Sequence, residues 1–194
     1  MSSLEQVKAL RERTGAGIVD VKKALDEAGG DEERAIKILR EKSGAKAVKK
    51  IDREAKEGYI GSYLHTNGKV GAMVVLSCET DFVARNEDFK LLARDIAMHV
   101  AAMNPAVLRP EDVAADTVGA ERAIWVEQMK QEGKEESLID KILIGKEKKF
   151  REEGALLTQS FVKNPEMTIR ELLSENVQKM GENIQISSFV RFEV

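Results

Sequence analysis

Two stretches of alternating apolar residues, far apart in the chain, constrain its fold more than any other pattern. One runs from Lys69 to Glu79 and the other from Ile184 to Val194. Successive side chains of an extended strand point to opposite faces, so each stretch predicts a strand with one face against a core. The residues expected to share a face are Val70, Ala72, Val74, Leu76 and Cys78 in the first stretch, and Ile184, Ile186, Ser188, Val190, Phe192 and Val194 in the second.

A hairpin is expected to place a further strand beside the first stretch. Residues Gly58 to His65 favour a strand, and Asn67-Gly68 can supply the positive φ angles of a two-residue turn. The three strands then form one antiparallel sheet. Between the second and third strands every pattern is helical, with Asn86 and Thr168 as predicted helix caps. The predicted fold class is therefore α+β.

The N-terminal part of the chain predicts three short helices separated by glycines. Ser3 and Gln6 have capping-box spacing, Thr14 to Gly17 end the first helix, and Asp31 caps the third. The second helix carries the apolar stripe Ile18, Val21, Ala24 and Leu25. The predicted domains are a three-helix unit at residues 1–43, a linker at 44–57 with the basic residues Lys46, Lys49, Lys50, Arg53 and Lys56, and a sheet-and-helix core at 58–194.

The composition argues against several function classes. Basic and acidic residues nearly balance, 31 against 34, so no global field favours direct binding of nucleic acid or of a membrane surface. His65, His99 and the single cysteine, Cys78, lack metal-ligand spacing, so no metal and no cofactor are expected. One cysteine and the lack of a signal-like apolar stretch favour a cytoplasmic protein. Glu79 and Asp81 form no recognisable acid–base pair, so we expect a protein-binding module and no enzyme.

The tetrad Thr80-Asp81-Phe82-Val83 joins the strand ending at Glu79 to the helix that follows Asn86. Side chains at such a junction can project from the fold, and an aromatic beside an acid can act as a probe inserted into a partner. A phenylalanine after a strand is also common in a core. From the residues alone, both interpretations of Phe82 remain open, and the core position is the more common one.

Several motifs, in order along the whole chain, resemble bacterial translation elongation factor Ts. They are Leu10-Arg-Glu-Arg-Thr-Gly-Ala-Gly17, Lys22-Lys23-Ala24-Leu25, Glu27-Ala28-Gly29-Gly30-Asp31, Glu57-Gly58-Tyr59-Ile60, Cys78 to Asn86, Asp95-Ile96-Ala97-Met98-His99 and Gly181-Glu182-Asn183-Ile184. The resemblance implies a guanine nucleotide exchange factor of translation elongation. Such a protein binds GDP-bound and nucleotide-free elongation factor Tu, and its N-terminal unit is similar to a ubiquitin-associated domain.

The resemblance also implies roles for particular residues. Thr80, Asp81, Phe82 and Val83 match a tetrad that dislodges the magnesium ion of the partner. Arg11, Ile18 and Val19 match positions that dock on the partner's GTPase domain, although the family commonly has two methionines where Ile18-Val19 stands. The stiffer β-branched pair keeps that surface apolar and reduces its adaptability.

The chain is short for this family, whose longer members contain a second core subdomain and an inserted helical hairpin. Short members resemble half of the longer core and pair, which implies a homodimer formed through the sheet-bearing domain. The alternatives are a monomer that dimerises only with the partner and, for function, a non-catalytic binding adaptor that uses the N-terminal three-helix unit.

Overall fold

A computed structural model of the chain describes residues 3–14, 16–48, 50 and 52–194. The helices are α1 (Leu4–Thr14), α2 (Ile18–Glu27), α3 (Glu32–Val48), α4 (Asp81–Arg85), α5 (Glu87–Met103), α6 (Ala115–Gln131), α7 (Glu136–Gly154) and α8 (Ile169–Met180). The strands are β1 (Glu57–Leu64), β2 (Val70–Cys78), β3 (Ser160–Phe161), β4 (Asn164–Thr168) and β5 (Gln185–Glu193). The fold class is α+β, as predicted.

The main sheet has the strand order β1-β2-β5, and both neighbouring pairs are antiparallel. The predicted two-residue turn between β1 and β2 is wrong. Four residues, 66–69, connect the paired positions His65 and Val70, and the Gly68 N–H donates to the His65 carbonyl at 2.8 Å. Gly68 adopts a positive φ of 68°, whereas Asn67 does not adopt a positive φ. One left-handed residue is enough because the connection is longer than a tight two-residue turn.

The alternation predicted for the last strand holds for its first half only. Val75 pairs with Ser188, but the next residue, Leu76, pairs with Ile186, so β5 has a bulge at Ser187. A bulge moves all later side chains to the opposite face. Phe189 therefore packs on the core, whereas Val190, Phe192 and Val194, which were predicted to share a face with Ile184 and Ile186, are exposed.

The main core lies between α5 and one face of this sheet. The inward positions of β2, from Ala72 to Cys78, are buried as predicted. The inward face of α5 comprises Phe89, Leu92, Ala93, Ile96 and Val100, and all are buried. Helix α8 closes the same core through Ile169, Leu173 and Val177. The core thus fixes the end of β2, from which the candidate site extends.

The N-terminal helices form a second, smaller core. The predicted capping box is confirmed, since Ser3 N–H donates to Gln6 Oε1 at 3.0 Å and Gln6 N–H donates to Ser3 Oγ at 3.1 Å. Val21, Ala24 and Leu25 are buried as predicted, but Ile18 is exposed. Ile18 is the first residue of its helix and extends beyond the stripe that faces α1 and α3.

Helix α3 continues past the predicted start of the linker at residue 44 and ends at Val48. It packs against α8, where Ser43 Oγ contacts Gln178 and the Arg40 Nε lies 3.5 Å from Glu175 Oε1. The division of the chain at 43/44 and 57/58 remains a prediction. Gly15 and Lys49, which that prediction includes, lie outside the described residues, as does the side chain of Lys46.

The segment between β2 and β5 is not wholly helical, so that prediction is wrong. Strands β3 and β4 form a small antiparallel sheet before the Thr168 cap of α8. Helices α6 and α7 form a hairpin around a separate cluster of Met129, Ile139 and Leu143. The resemblance associates a helical hairpin with longer chains, but this short chain also has one.

Candidate partner-binding site

The tetrad begins at Thr80, the N-cap of the short helix α4. The Thr80 Oγ1 accepts a hydrogen bond from the Val83 N–H at 3.5 Å, and the Thr80 carbonyl accepts one from the Ala84 N–H at 3.2 Å. Threonine suits this position because its hydroxyl satisfies a helix N–H that has no partner within the helix. Asp81 lies in the first turn, and its carboxylate pairs with Arg85 at 3.1 Å. The predicted turn is thus a capped helical turn.

Phe82 projects from this turn, and 82% of its surface is exposed. The core interpretation of Phe82 is therefore wrong. The neighbouring Ala84 is buried in the main core, and Val83 packs partly against it. These two contacts fix one side of α4 on the core and leave the phenyl ring on the other side. A large aromatic at the tip of an anchored turn is available to a concave partner surface.

Glu182, in the connection between α8 and β5, holds Glu79, which precedes the tetrad, and Thr80, which begins it. Its Oε2 accepts hydrogen bonds from the Glu79 and Thr80 N–H groups, both at 3.0 Å. Its Oε1 accepts one from the Thr80 hydroxyl at 2.6 Å. No role had been predicted for Glu182, although it lies within the Gly181-Glu182-Asn183 motif that contributed to the resemblance.

The three N-terminal site residues are on the surface of the helical unit. Arg11 is exposed on α1, and the exposed fractions of Ile18 and Val19 at the start of α2 are 49% and 61%. The predicted place of Ile18 in the apolar stripe of α2 does not bury it, and both Ile18 and Val19 lie on the surface. These residues belong to the helical unit, and the tetrad follows β2, so two segments of the chain supply the candidate site: the N-terminal patch (Arg11, Ile18 and Val19) and the tetrad.

The described residues contain no group of three or more His, Cys, Asp or Glu side chains that could hold a metal ion. Burial raises the pKa of the Cys78 thiol to about 11, and the thiol donates to the Thr80 carbonyl at 3.2 Å. A thiol in that state is a poor nucleophile. No helix within the described part of the chain is long and apolar enough to cross a membrane.

The outer face of the main sheet carries an apolar patch, which we call the outer patch. It comprises Ile60, Leu64, Met73, Val190, Phe192 and Val194, all exposed. Met73 lies at its centre, because it pairs with Ser62 of β1 on one side and with Val190 of β5 on the other. Contiguous apolar patches of this kind on a sheet are typical of protein interfaces.

Comparison with known proteins identifies the family. A model of the family described as Elongation factor TS matches residues 22–194. The chain belongs to the elongation factor Ts family. Elongation factor Ts of Fervidobacterium nodosum is 51% identical over 192 residues, which cover 99% of this chain and 98% of that protein. Elongation factor Ts of Thermosipho melanesiensis is 50% identical over 194 residues, covering 100% and 99%.

A third relative, elongation factor Ts of Thermodesulfovibrio yellowstonii, is 52% identical over 190 residues, covering 98% of this chain and 94% of that protein. The similarity thus includes both segments of the candidate site. This member of the elongation factor Ts family presents Phe82, Ile18 and Val19 on its surface, where a partner can contact them.

Proposed function

We propose that this protein is a guanine nucleotide exchange factor that binds GDP-bound elongation factor Tu in the cytoplasm and accelerates release of GDP. The observation that carries the proposal is the exposure of Phe82 on a capped, core-anchored turn in a chain of this family. The protein catalyses no covalent reaction and needs no cofactor, because exchange requires only differential binding to two states of the partner.

Phe82 acts as a wedge beside the magnesium site of the partner. Insertion of the ring displaces the groups that order the magnesium and its water. Loss of the ion leaves the charges of the diphosphate poorly neutralised, so GDP dissociates faster. Thr80 and Val83 shape the turn that carries the ring, and Asp81 adds a carboxylate beside it. The Asp81 carboxylate can exchange its pairing with Arg85 for a contact with the partner, because an ion pair between two side chains near the surface contributes little stability.

Arg11, Ile18 and Val19 supply the second contact, on the GTPase domain of the partner. The two contacts have different roles. The N-terminal patch contributes affinity for elongation factor Tu, and the tetrad acts on the nucleotide site of that partner. Binding of the exchange factor and binding of nucleotide to elongation factor Tu weaken each other by the same factor. GTP that binds to the complex therefore promotes release of the exchange factor, which completes the cycle.

The protein forms a homodimer through the outer patch. An exposed apolar surface centred on Met73 is unfavourable in water, and a second copy related by a twofold axis covers it with an identical surface. The aligned packing of two sheets accommodates interdigitating side chains such as Met73, Val190 and Phe192.

The alternative function is a binding adaptor that uses the three-helix unit and leaves nucleotide exchange unchanged. Elongation factor Tu loaded with a fluorescent GDP distinguishes the two. We expect the wild-type protein to accelerate release of the labelled GDP in excess unlabelled nucleotide, with a rate that saturates with its concentration. Binding of elongation factor Tu without any acceleration would favour the adaptor.

A further inference from the structure

A single carboxylate fixes the segment that leads into the tetrad. The backbone pairing of β2 with β5 ends at Ser77 and Gln185, and that of β1 with β2 ends at Glu57 and Cys78. The N–H groups of Glu79 and Thr80 lie beyond both ladders and donate to Glu182 Oε2. Charge-assisted hydrogen bonds of this kind are the stronger ones in proteins.

The same carboxylate also orients the cap of α4. The Thr80 hydroxyl donates its proton to Glu182 Oε1 at 2.6 Å, and its oxygen accepts from the Val83 N–H at 3.5 Å. Donation to Glu182 leaves the hydroxyl lone pairs for Val83, so one chain of contacts joins Glu182 to the last residue of the tetrad. Phe82 therefore lies between Thr80 and Val83, which both take part in these hydrogen bonds.

A reciprocal contact holds Asn183, the residue after Glu182. The Glu79 Oε1 accepts from the Asn183 N–H at 2.6 Å, while Asn183 Nδ2 donates to the Arg53 carbonyl at 2.7 Å. The two segments therefore exchange hydrogen bonds in both directions across about a hundred residues of sequence. This arrangement is more rigid than a single contact would be.

We propose that Glu182 is a positioning residue for nucleotide exchange, which sets the direction of the Phe82 ring before the partner binds. This inference rests on the proposed function. A five-residue helix has no stability of its own, because helix nucleation is unfavourable. Its orientation depends on its anchors, and preorganisation lowers the cost of inserting the ring. Glu182 acts through Thr80 and need not touch the partner.

The test measures release of fluorescent GDP from elongation factor Tu at increasing concentrations of wild type, E182A and E182Q. We expect E182A to lower the maximal release rate about tenfold, since it removes three hydrogen bonds to a charged group. The half-saturating concentration should stay within about twofold, because the N-terminal patch is unchanged. E182Q should also lose activity, since it replaces one acceptor oxygen by a donor amide. E153A, which removes an exposed glutamate of α7, is the matched control.

Two further measurements separate positioning from general stability. In the F82A background, adding E182A should cause no further loss of rate, because the group that Glu182 positions is gone. Amide hydrogen exchange at Glu79 and Thr80 should be slow in the wild type and faster in E182A, and this readout does not depend on activity.

A maximal release rate equal to that of the wild type in E182A would overturn the inference. So would an effect of E182A on the half-saturating concentration alone. An equal loss of maximal rate on adding E182A to the wild type and to F82A would overturn it as well. Unchanged amide exchange in E182A would also overturn it. A wild-type protein that accelerates nothing would instead overturn the proposed exchange function, whatever the amide exchange of Glu79 and Thr80 shows.

Discussion

Gly61 of β1 lies against the backbone of Ala93 in α5. A Cβ atom at residue 61 would be 2.4 Å from the Ala93 carbonyl carbon, a separation that cannot occur without movement of the strand or the helix. The close approach lets α5 pack directly on the sheet, and α5 begins just after α4. The close packing at Gly61 fixes α5 on the sheet, and α5 in turn helps to fix α4, which carries the tetrad.

G61A should lower the free energy of unfolding by roughly 1–3 kcal/mol, the usual cost of overpacking. Chemical denaturation measures this change. G119A is the matched control, because Gly119 is a helical residue with open space around it and no positive φ. Alanine there should raise stability by about 0.5–1 kcal/mol. Equal stability of G61A and the wild type would contradict the packing described for Gly61.

His99 makes stability depend on pH. Burial lowers the pKa of its imidazole below 6.5, and the neutral ring accepts from the Val162 N–H at 3.2 Å and lies 3.1 Å from Gln159 Oε1. Below pH 6.5 the unfolded chain binds a proton that the folded chain excludes until the lowered pKa is reached. The free energy of unfolding should therefore fall as the pH drops through this window.

H99Q removes this titration, so its stability should vary less between pH 7.5 and 5.5 than that of the wild type, whatever its absolute stability. Denaturation of both proteins at several pH values measures the two slopes. Parallel slopes would show that His99 does not contribute to the pH dependence.

Substitution of Met73 tests whether the protein forms a homodimer through the outer patch. M73E places a charge at the centre of the outer patch, where burial against a second copy would be costly. In sedimentation equilibrium we expect the wild type at twice the chain mass of 21.6 kDa and M73E near 21.6 kDa. I144E changes an exposed apolar residue on α7, outside the outer patch, and should leave the dimer intact. A monomeric wild type would reject the homodimer.

Ile18 and Val19 test the second contact. Changing both to serine should raise the half-saturating concentration in the exchange assay roughly tenfold, the effect of losing 1–2 kcal/mol of interface energy. The maximal rate should be unchanged. L4S, at an exposed apolar residue of the same helical unit, is the control. A lower maximal rate with unchanged half-saturation would assign these residues to the nucleotide site instead.

Local patterns predicted the three strands of the main sheet and the helix caps, because periodicity and capping depend on neighbouring residues. Thr168 and Glu171 form a capping box at the predicted residue, and α5 buries the predicted face. The bulge at Ser187 could not be predicted, since it depends on how β5 meets β2. The two residues of β3 are too few to show a period of two, and Pro165 within β4 argues against a strand there.

In the candidate site, too, some features follow from the local sequence and others depend on the tertiary fold. The position of the tetrad at the end of a strand was readable from the sequence, but the exposure of Phe82 was not, because a junction can turn toward or away from the core. The contact of Glu182 with Thr80 joins residues that only the tertiary fold brings together. Ile18 shows the same kind of error as the core interpretation of Phe82, since its helical spacing fits the buried stripe while its place at the helix start exposes it.

The most direct test of the central claim is the maximal rate of GDP release from elongation factor Tu at saturating wild type and at saturating F82A, each with magnesium and with excess chelator. F82A should fold normally, because its ring is exposed. With magnesium we expect F82A to be slower by about tenfold or more, the effect of losing a central aromatic contact. With chelator the difference should shrink, because the ion has already been removed. Equal rates in magnesium would contradict the wedge role of Phe82.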